Sequence, residues 1–140
     1  MCLPDFWDEI KDRCWLGTSI GSQAGMVRFN HLIRLRQFAK VLFLSLEPLH
    51  EEITFDEKIS LIDWVIIGGE SGNENGKYRY RPCKIEWMEK IAAKAHQYDV
   101  SVFVKQMGTH LAKELKMSDR HGTIIEEFPA TLQKRDFPKK

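Results

Sequence analysis

WVIIGGESG, residues 64–72, runs from an apolar, β-prone segment straight into two glycines, a glutamate and a serine. Trp64 to Ile67 favour a strand. Gly68 and Gly69 either simply allow a turn with positive φ or take part in a ligand site. A carboxylate and a hydroxyl at the tip of such a strand are either a polar turn or the rim of a binding site. The rest of the chain weighs on that choice.

Working outward, LIDWVIIGG (61–69) is one of four short apolar runs, with WLGTSI (15–20), KVLFLSLEP (40–48) and VSVFVKQMG (100–108). Each is continuous rather than alternating, the pattern of strands covered on both faces. GMVRFNHLIRLRQFAK keeps approximate helical spacing through Met26, Phe29, Leu32 and Ile33. In KIEWMEKIAAKAHQYD, residues Ile85, Met88, Ile91, Ala92 and Ala95 mark an amphipathic helix. A shorter helix is expected in DEKISLI, capped by Thr54 or Asp56, and another in THLAKELKM. Strand and helix in alternation predict βαβ units and a parallel sheet. The expected fold is α/β: four parallel strands with crossover helices over residues 1–121, and an extended tail over 122–140. About eight strands close a barrel, so four make half of one.

Each strand ends in polar residues: Thr18 and Ser19, then Ser45 and Glu47, then Glu70 and Ser71 after Gly68 and Gly69, then Lys105 and Gln106. Ligands of parallel α/β folds bind outside the carboxyl ends of the strands, where the strand-to-helix loops converge. Thr18, Ser19, Glu47, Gly68, Gly69, Glu70, Ser71, Lys105 and Gln106 are therefore the candidate ligand-binding residues. Lys105 within VFVKQM needs a partner or a path to water, and Glu70 or Glu47 on neighbouring strands would serve. KYRYRP (77–82) interleaves Lys77, Tyr78, Arg79, Tyr80 and Arg81. It reads first as a solvated strand or loop over the sheet's mouth, and second as a surface for stacked single-stranded nucleic acid. SGNENGKY is no phosphate-binding P-loop, because Ser71 and Tyr78 replace its first Gly and its Ser/Thr.

The 140 residues suffice for one domain with a core, and 21 Lys and Arg against 20 Asp and Glu set up no global field for nucleic acid or membrane. No apolar run reaches the roughly 20 residues of a membrane helix. MCLPDFWDEIKDRC lacks a signal-peptide core, so a cytoplasmic protein is expected. Cys2, Cys14 and Cys83 are odd in number and widely spaced, which predicts free thiols and no metal site made by this chain alone. His50 beside Glu51 and Glu52, and His110 with Glu114, offer too few ligands for a metal.

WLGTSIGSQ, FLSLEPL, LIDWVIIGGESG, VSVFVKQMG and EEFPATLQKRDFP resemble, in that order, the C-terminal half of a phage-associated family of unknown function that looks like radical S-adenosylmethionine enzymes. The resemblance covers about residues 14 to 138. It implies that fuller members carry an N-terminal half with a cysteine cluster, and hence an iron–sulfur cluster and S-adenosylmethionine in a (β/α) barrel. Cys2, Cys14 and Cys83 do not reproduce that spacing, so no cofactor is expected in this chain alone. The first loop departs too, with Gly21 and Ser22 where the family often has an asparagine, and NENGKYRYRP is longer and more basic than usual. Radical enzymes place a Gly-Gly-Glu element near their second strand. Here GGE lies on a late strand, so that role does not pass to Glu70.

The leading expectation is thus a catalytically silent half-barrel that lends ligand-facing groups. A binding module or the remnant of a truncated gene are the alternatives. Open strand edges, with VLFLSL the most exposed to mispairing if it lies near one, predict a companion half, self-association or aggregation. The other possibility is that TIIEEFPATLQKRDFP folds back over one edge.

Overall fold

The computed structural model describes residues 3–140. It contains one four-stranded sheet, β1 (Trp15–Ser19), β2 (Val41–Leu46), β3 (Trp64–Gly68) and β4 (Ser101–Gln106), in the order β1-β2-β3-β4 and parallel throughout. The expected α/β class and its four parallel strands are what the chain forms. Helix α1 (Trp7–Ile10) precedes the sheet, α2 (Met26–Ile33) links β1 to β2, α3 (Ile85–Gln97) links β3 to β4, and α4 (Gly108–Glu114) follows. The β2–β3 crossover holds only a 3₁₀ turn, Glu57–Leu61, whose first turn is capped by Asp56 accepting from the Lys58 amide at 2.9 Å.

One face of the sheet is a dry core. Leu42, Leu44, Leu46, Val65, Ile67, Val102 and Val104 pack there against Phe29 and Leu32 of α2 and Met88, Ile91 and Ala95 of α3. These are the positions that helical and strand spacing selected. Truncating a residue such as Leu44 to Ala would cost about 2–5 kcal/mol.

The opposite face differs from the expectation of strands covered on both sides. On β1 burial alternates: Trp15, Gly17 and Ser19 are exposed, while Leu16 and Thr18 are half-buried. Strand register puts Trp15, Gly17 and Ser19 beside Val41, Phe43 and Ser45, and then Trp64, Ile66, Phe103 and Lys105. Among the described residues no helix packs there, so the apolar runs of β2 and β3 keep half-exposed members. Phe43 lies over Gly17, where a Cβ would come within 2.5 Å of the ring. Toward the amino ends the face is aromatic. Trp64 meets Trp15 edge-on at 5.8 Å and stacks on Phe137 at 5.3 Å, and Phe103 meets Phe137 at 5.6 Å. Toward the carboxyl ends it turns polar.

The tail is more structured than an extended segment. It contains 3₁₀ turns at Ile125–Glu127 and Ala130–Leu132, and buries Phe128 and Leu132 in the common core. It then runs antiparallel to β4: Val104 donates its amide to Lys134 O at 2.8 Å, and Asp136 donates to Val102 O at 2.9 Å. This covers the β4 edge and leaves β1 as the open one. VLFLSL is interior, between β1 and β3, because α2 returns the chain beside β1; it is no edge strand.

Candidate functional site

The β3 end settles what its two glycines do. Neither has a positive φ; both are needed for close approach. A Cβ on Gly68 would lie 3.1 Å from the Glu47 carboxyl carbon, and one on Gly69 would lie 2.1 Å from Met107 O. Gly108, at φ +85°, backs onto the same crossing, where any Cβ would meet Gly69 and the Glu70 amide below 3.0 Å. Gly69 and Gly108 thus let the β3 and β4 ends touch backbone to backbone.

Glu47 follows β2 and forms a cis peptide with Pro48. Its carboxylate lies over Gly68 and accepts from Lys105 Nζ at 3.3 Å. Of the two partners open to Lys105, Glu47 is the one taken. Glu70 is held otherwise: Arg81 donates its amide (2.9 Å) and Nε (2.8 Å) to Oε2, and Nη2 to Oε1 at 3.1 Å. The bonds from the Arg81 guanidinium hold the Glu70 carboxyl below the usual carboxylate range, against a smaller opposing effect of burial. Gln106 donates through Nε2 to Gly69 O and Ser71 Oγ, both at 2.9 Å. Ser19 lies on the open face. Thr18 points the other way, beside Leu44 on the helix-packed side, because neighbouring strand residues alternate faces. The structure therefore gathers Glu47, Gly68, Gly69, Glu70, Ser71, Lys105 and Gln106 at one end of β2 to β4, with Ser19 on β1, and turns Thr18 away.

Of the strand or loop expected for KYRYRP, the chain forms the loop. Asn73 N donates to Tyr78 O (2.7 Å) and Tyr80 N to Asn73 O (3.2 Å), closing a loop with Gly76 at φ +87°. Tyr80 is taken up inside, donating to Glu74 at 3.1 Å beneath the Lys113 ammonium, 5.6 Å from its ring. Tyr78 stays outside, 69% exposed, with Lys77 Nζ 5.5 Å from its ring. Arg81 ties the loop to the rim.

Sequence reasoning missed the wall between the first two strand ends. Ser19, Gly21, Ser22, Gly25, Arg28, Glu47, His50 and Arg81 line a cavity of about 400 Å³ there. Arg28 lies on the exposed side of α2, whose apolar spacing marks only the core side, and His50 lies in a loop with no periodic signal.

The two described thiols do not suit a cluster. Burial pushes the Cys83 thiol up to about 12, and Cys14 lies at the opposite, amino end of the sheet, just before β1. Cluster ligation needs thiolates. Cys2 lies outside the described residues. Among those described, no three His, Cys, Asp or Glu residues are placed to hold a metal ion, and no helix is long and apolar enough to cross a membrane.

Four parallel strands whose polar ends meet on one rim, above an open aromatic face, define an α/β protein with a polar carboxyl edge. The chain belongs to the family described as Protein of unknown function (DUF5131), whose family model matches residues 2–132. No curated protein and no solved structure matches it.

Proposed function

We propose that this chain is one portion of a radical S-adenosylmethionine-like barrel of phage-associated type, and that its strand ends form one wall of the ligand site. The observation that carries the reading is the rim itself. Glu47, Glu70, Ser71, Lys105 and Gln106 arise from three strands and meet at the carboxyl edge beside an uncovered sheet face. In this reading a companion half covers that face. Cys14 and Cys83 do not fit an iron–sulfur cluster, so its ligands would come from elsewhere, and no chemical step is assigned to this chain. Glu47 and Lys105 would exchange their mutual contact for the amino and carboxylate groups of a zwitterionic ligand. The test is S-adenosylmethionine titrated into ¹⁵N-labelled protein at millimolar concentration. Amide shifts should concentrate at residues 45–47, 68–71 and 105–107 and shrink in Lys105→Met. Shifts elsewhere, or none, overturn the reading.

A second reading, a non-catalytic module that binds single-stranded nucleic acid, is favoured by Tyr78. Its ring is exposed beside Lys77, as base stacking requires. Fluorescence anisotropy with a labelled oligothymidylate would show saturable binding weakened severalfold by Tyr78→Ala. Equal binding by both proteins removes this reading.

A further inference from the structure

We infer that β1 is the edge through which two copies of this chain join, pairing antiparallel about a twofold axis at Leu16 into one continuous sheet. The inference goes beyond the reading of the rim as a ligand site and does not use it.

β1 stands at one end of the sheet order, and β2 and α2 are the elements that chiefly pack on it. Ile20 donates its amide to Ser45 O at 2.9 Å, and Cys14 O accepts from the Lys40 amide at 2.9 Å. Even-numbered residues of this stretch therefore turn their backbone groups toward β2, and Trp15, Gly17 and Ser19 turn theirs outward. Among the described residues one of those outward groups has a partner: Ser19 O accepts from Arg28 Nη1 at 2.7 Å. The amides and carbonyls of Trp15 and Gly17 are free. WLGTS also lacks the devices that blunt an edge, since it has no charge, no proline and no register shift against β2. The tail closes the far edge at β4, so pairing through β1 stops at two copies.

The sequence on either side of β1 shows what fits this edge. Residues 5–12, DFWDEIKD, carry Asp5, Asp8, Glu9 and Asp12, all exposed, against Lys11, which Asp8 holds at 3.0 Å. From residue 13 to 46 there is no Asp or Glu, while Arg13, Arg28, Arg34, Arg36 and Lys40 fall there. Arg36 is taken by Asp63; among the described residues Arg28 and Arg34 meet no carboxylate. A strand acidic before its start and basic past its end complements itself only when antiparallel, each end against the opposite charge of the other copy. Asp12 of one copy then faces Arg28 of the other, whereas parallel strands would set like against like. Arg13 alone runs against the pattern, and it adjoins Asp12. The free groups fix the register. Trp15 opposite Gly17 of the second copy exchanges both main-chain bonds, twice by symmetry, and leaves the Arg28-bonded Ser19 O undisturbed. Half-buried Leu16 then meets its own counterpart on the helix side. On the other face Trp15, 42% exposed, lies beside Gly17 of the second copy and the Phe43 ring over it.

Light scattering after size exclusion, from low micromolar to submillimolar concentration, tests the proposal together with amide hydrogen exchange. The mass should rise with concentration to that of two copies and no further, and the Trp15 and Gly17 amides should exchange more slowly at the upper end. Asp12→Arg and Arg28→Glu should each weaken the dimer about fivefold or more, and the two in one chain should restore it to within about twofold, as a folding defect would not. Circular dichroism melts establish that the variants fold, and the exchange measurement on the parent needs no variant. A monomer at every concentration, growth beyond two copies, or a dimer indifferent to both single variants overturns the proposal. So do concentration-dependent shifts at Phe43, Phe103 and Phe137 with none at 15–17, which would put the contact on the open face. The S-adenosylmethionine shifts at 68–71 are read on separate amides, so that reading and this one fall separately.

Discussion

Lys105 of β4 reaches Glu47, just past the end of β2, across an intervening strand, and it can do so because β3 ends in a residue without a side chain. The ammonium lies 3.3 Å from Glu47 Oε1, and the carboxyl carbon lies 3.1 Å from where a Gly68 Cβ would stand. Lys105 is 56% exposed and Glu47 21%. An ion pair this open contributes about 1 kcal/mol or less. Lys105→Met and Glu47→Gln should therefore melt close to the parent in urea. Gly68→Ala should also fold, moving the Glu47 carboxylate by a few tenths of an ångström. A loss of 3 kcal/mol or more, of the order expected on stranding a buried charge, would show instead that the pair is structural and not available to a ligand.

The neighbouring glycine is a different matter. A methyl group at position 69 would run into the Met107 carbonyl, which belongs to the backbone and cannot rotate away. Gly69→Ala should cost about 3 kcal/mol or more, through separation of the β3 and β4 ends and loss of the Gly69 N–H to Gln106 O bond of 3.1 Å. Parallel urea melts of the two alanine variants check this, and equal stabilities would refute the assigned roles.

Asp63, at the amino end of β3, anchors the other side of the sheet. Burial would raise its pKa, but donation from Lys140 (2.7 Å), Arg36 and the Leu42 amide (2.8 Å) outweighs this and leaves it lowered. A carboxyl depressed in the folded state contributes stability that is full above its unfolded value, about 3.9. That stability is lost as pH falls through the lower folded value. Asp63→Asn should cost about 2–3 kcal/mol at neutral pH. The gap from the parent should narrow on acidification below about pH 4. Denaturant melts at pH 7, 4 and 2.5 give the comparison; a constant gap would mean that the charge is not what matters.

The fold was legible because its signals are local. Met88, Ile91, Ala92 and Ala95 lie in the core as their spacing required, and four β-prone runs became four strands. The convergence of polar strand ends followed from parallel topology alone. What escaped was set by non-local geometry. Lys105 could have chosen either glutamate, and Glu47 won because Arg81, eleven residues along a closed loop, had already engaged Glu70. The half-open face was hidden for a related reason. Phe43, Ile66 and Phe103 read as buried from their chemistry, but burial depends on what packs against them, and none of the described helices does.

The tail provides the last prediction. Beyond Leu132 it supplies four things: an antiparallel partner for β4, the carbonyl of Asp136 that accepts from Trp64 Nε1 at 2.8 Å, the Phe137 ring on Trp64, and the Lys140 ammonium on Asp63. Removing residues 133–140 would leave Val104 N–H and Val102 O facing solvent and the Trp64 indole N–H without its acceptor. At about 1 kcal/mol for each lost bond, the truncated chain should be less stable by about 3 kcal/mol. Its β4 edge, lined by alternating Val102 and Val104, would join β1 as a second unpaired edge, and edge-to-edge pairing becomes open to it. Light scattering after size exclusion should show the truncated chain associating at micromolar concentration, more than the parent does. Phe137→Ser in the full chain separates the contributions: it removes the ring and keeps the strand pairing. It should lower stability by about 1 kcal/mol, the stacking share of a mostly exposed ring, without promoting association. A truncated chain that melts with the parent and stays at the parent's size would show that the tail covers nothing of consequence.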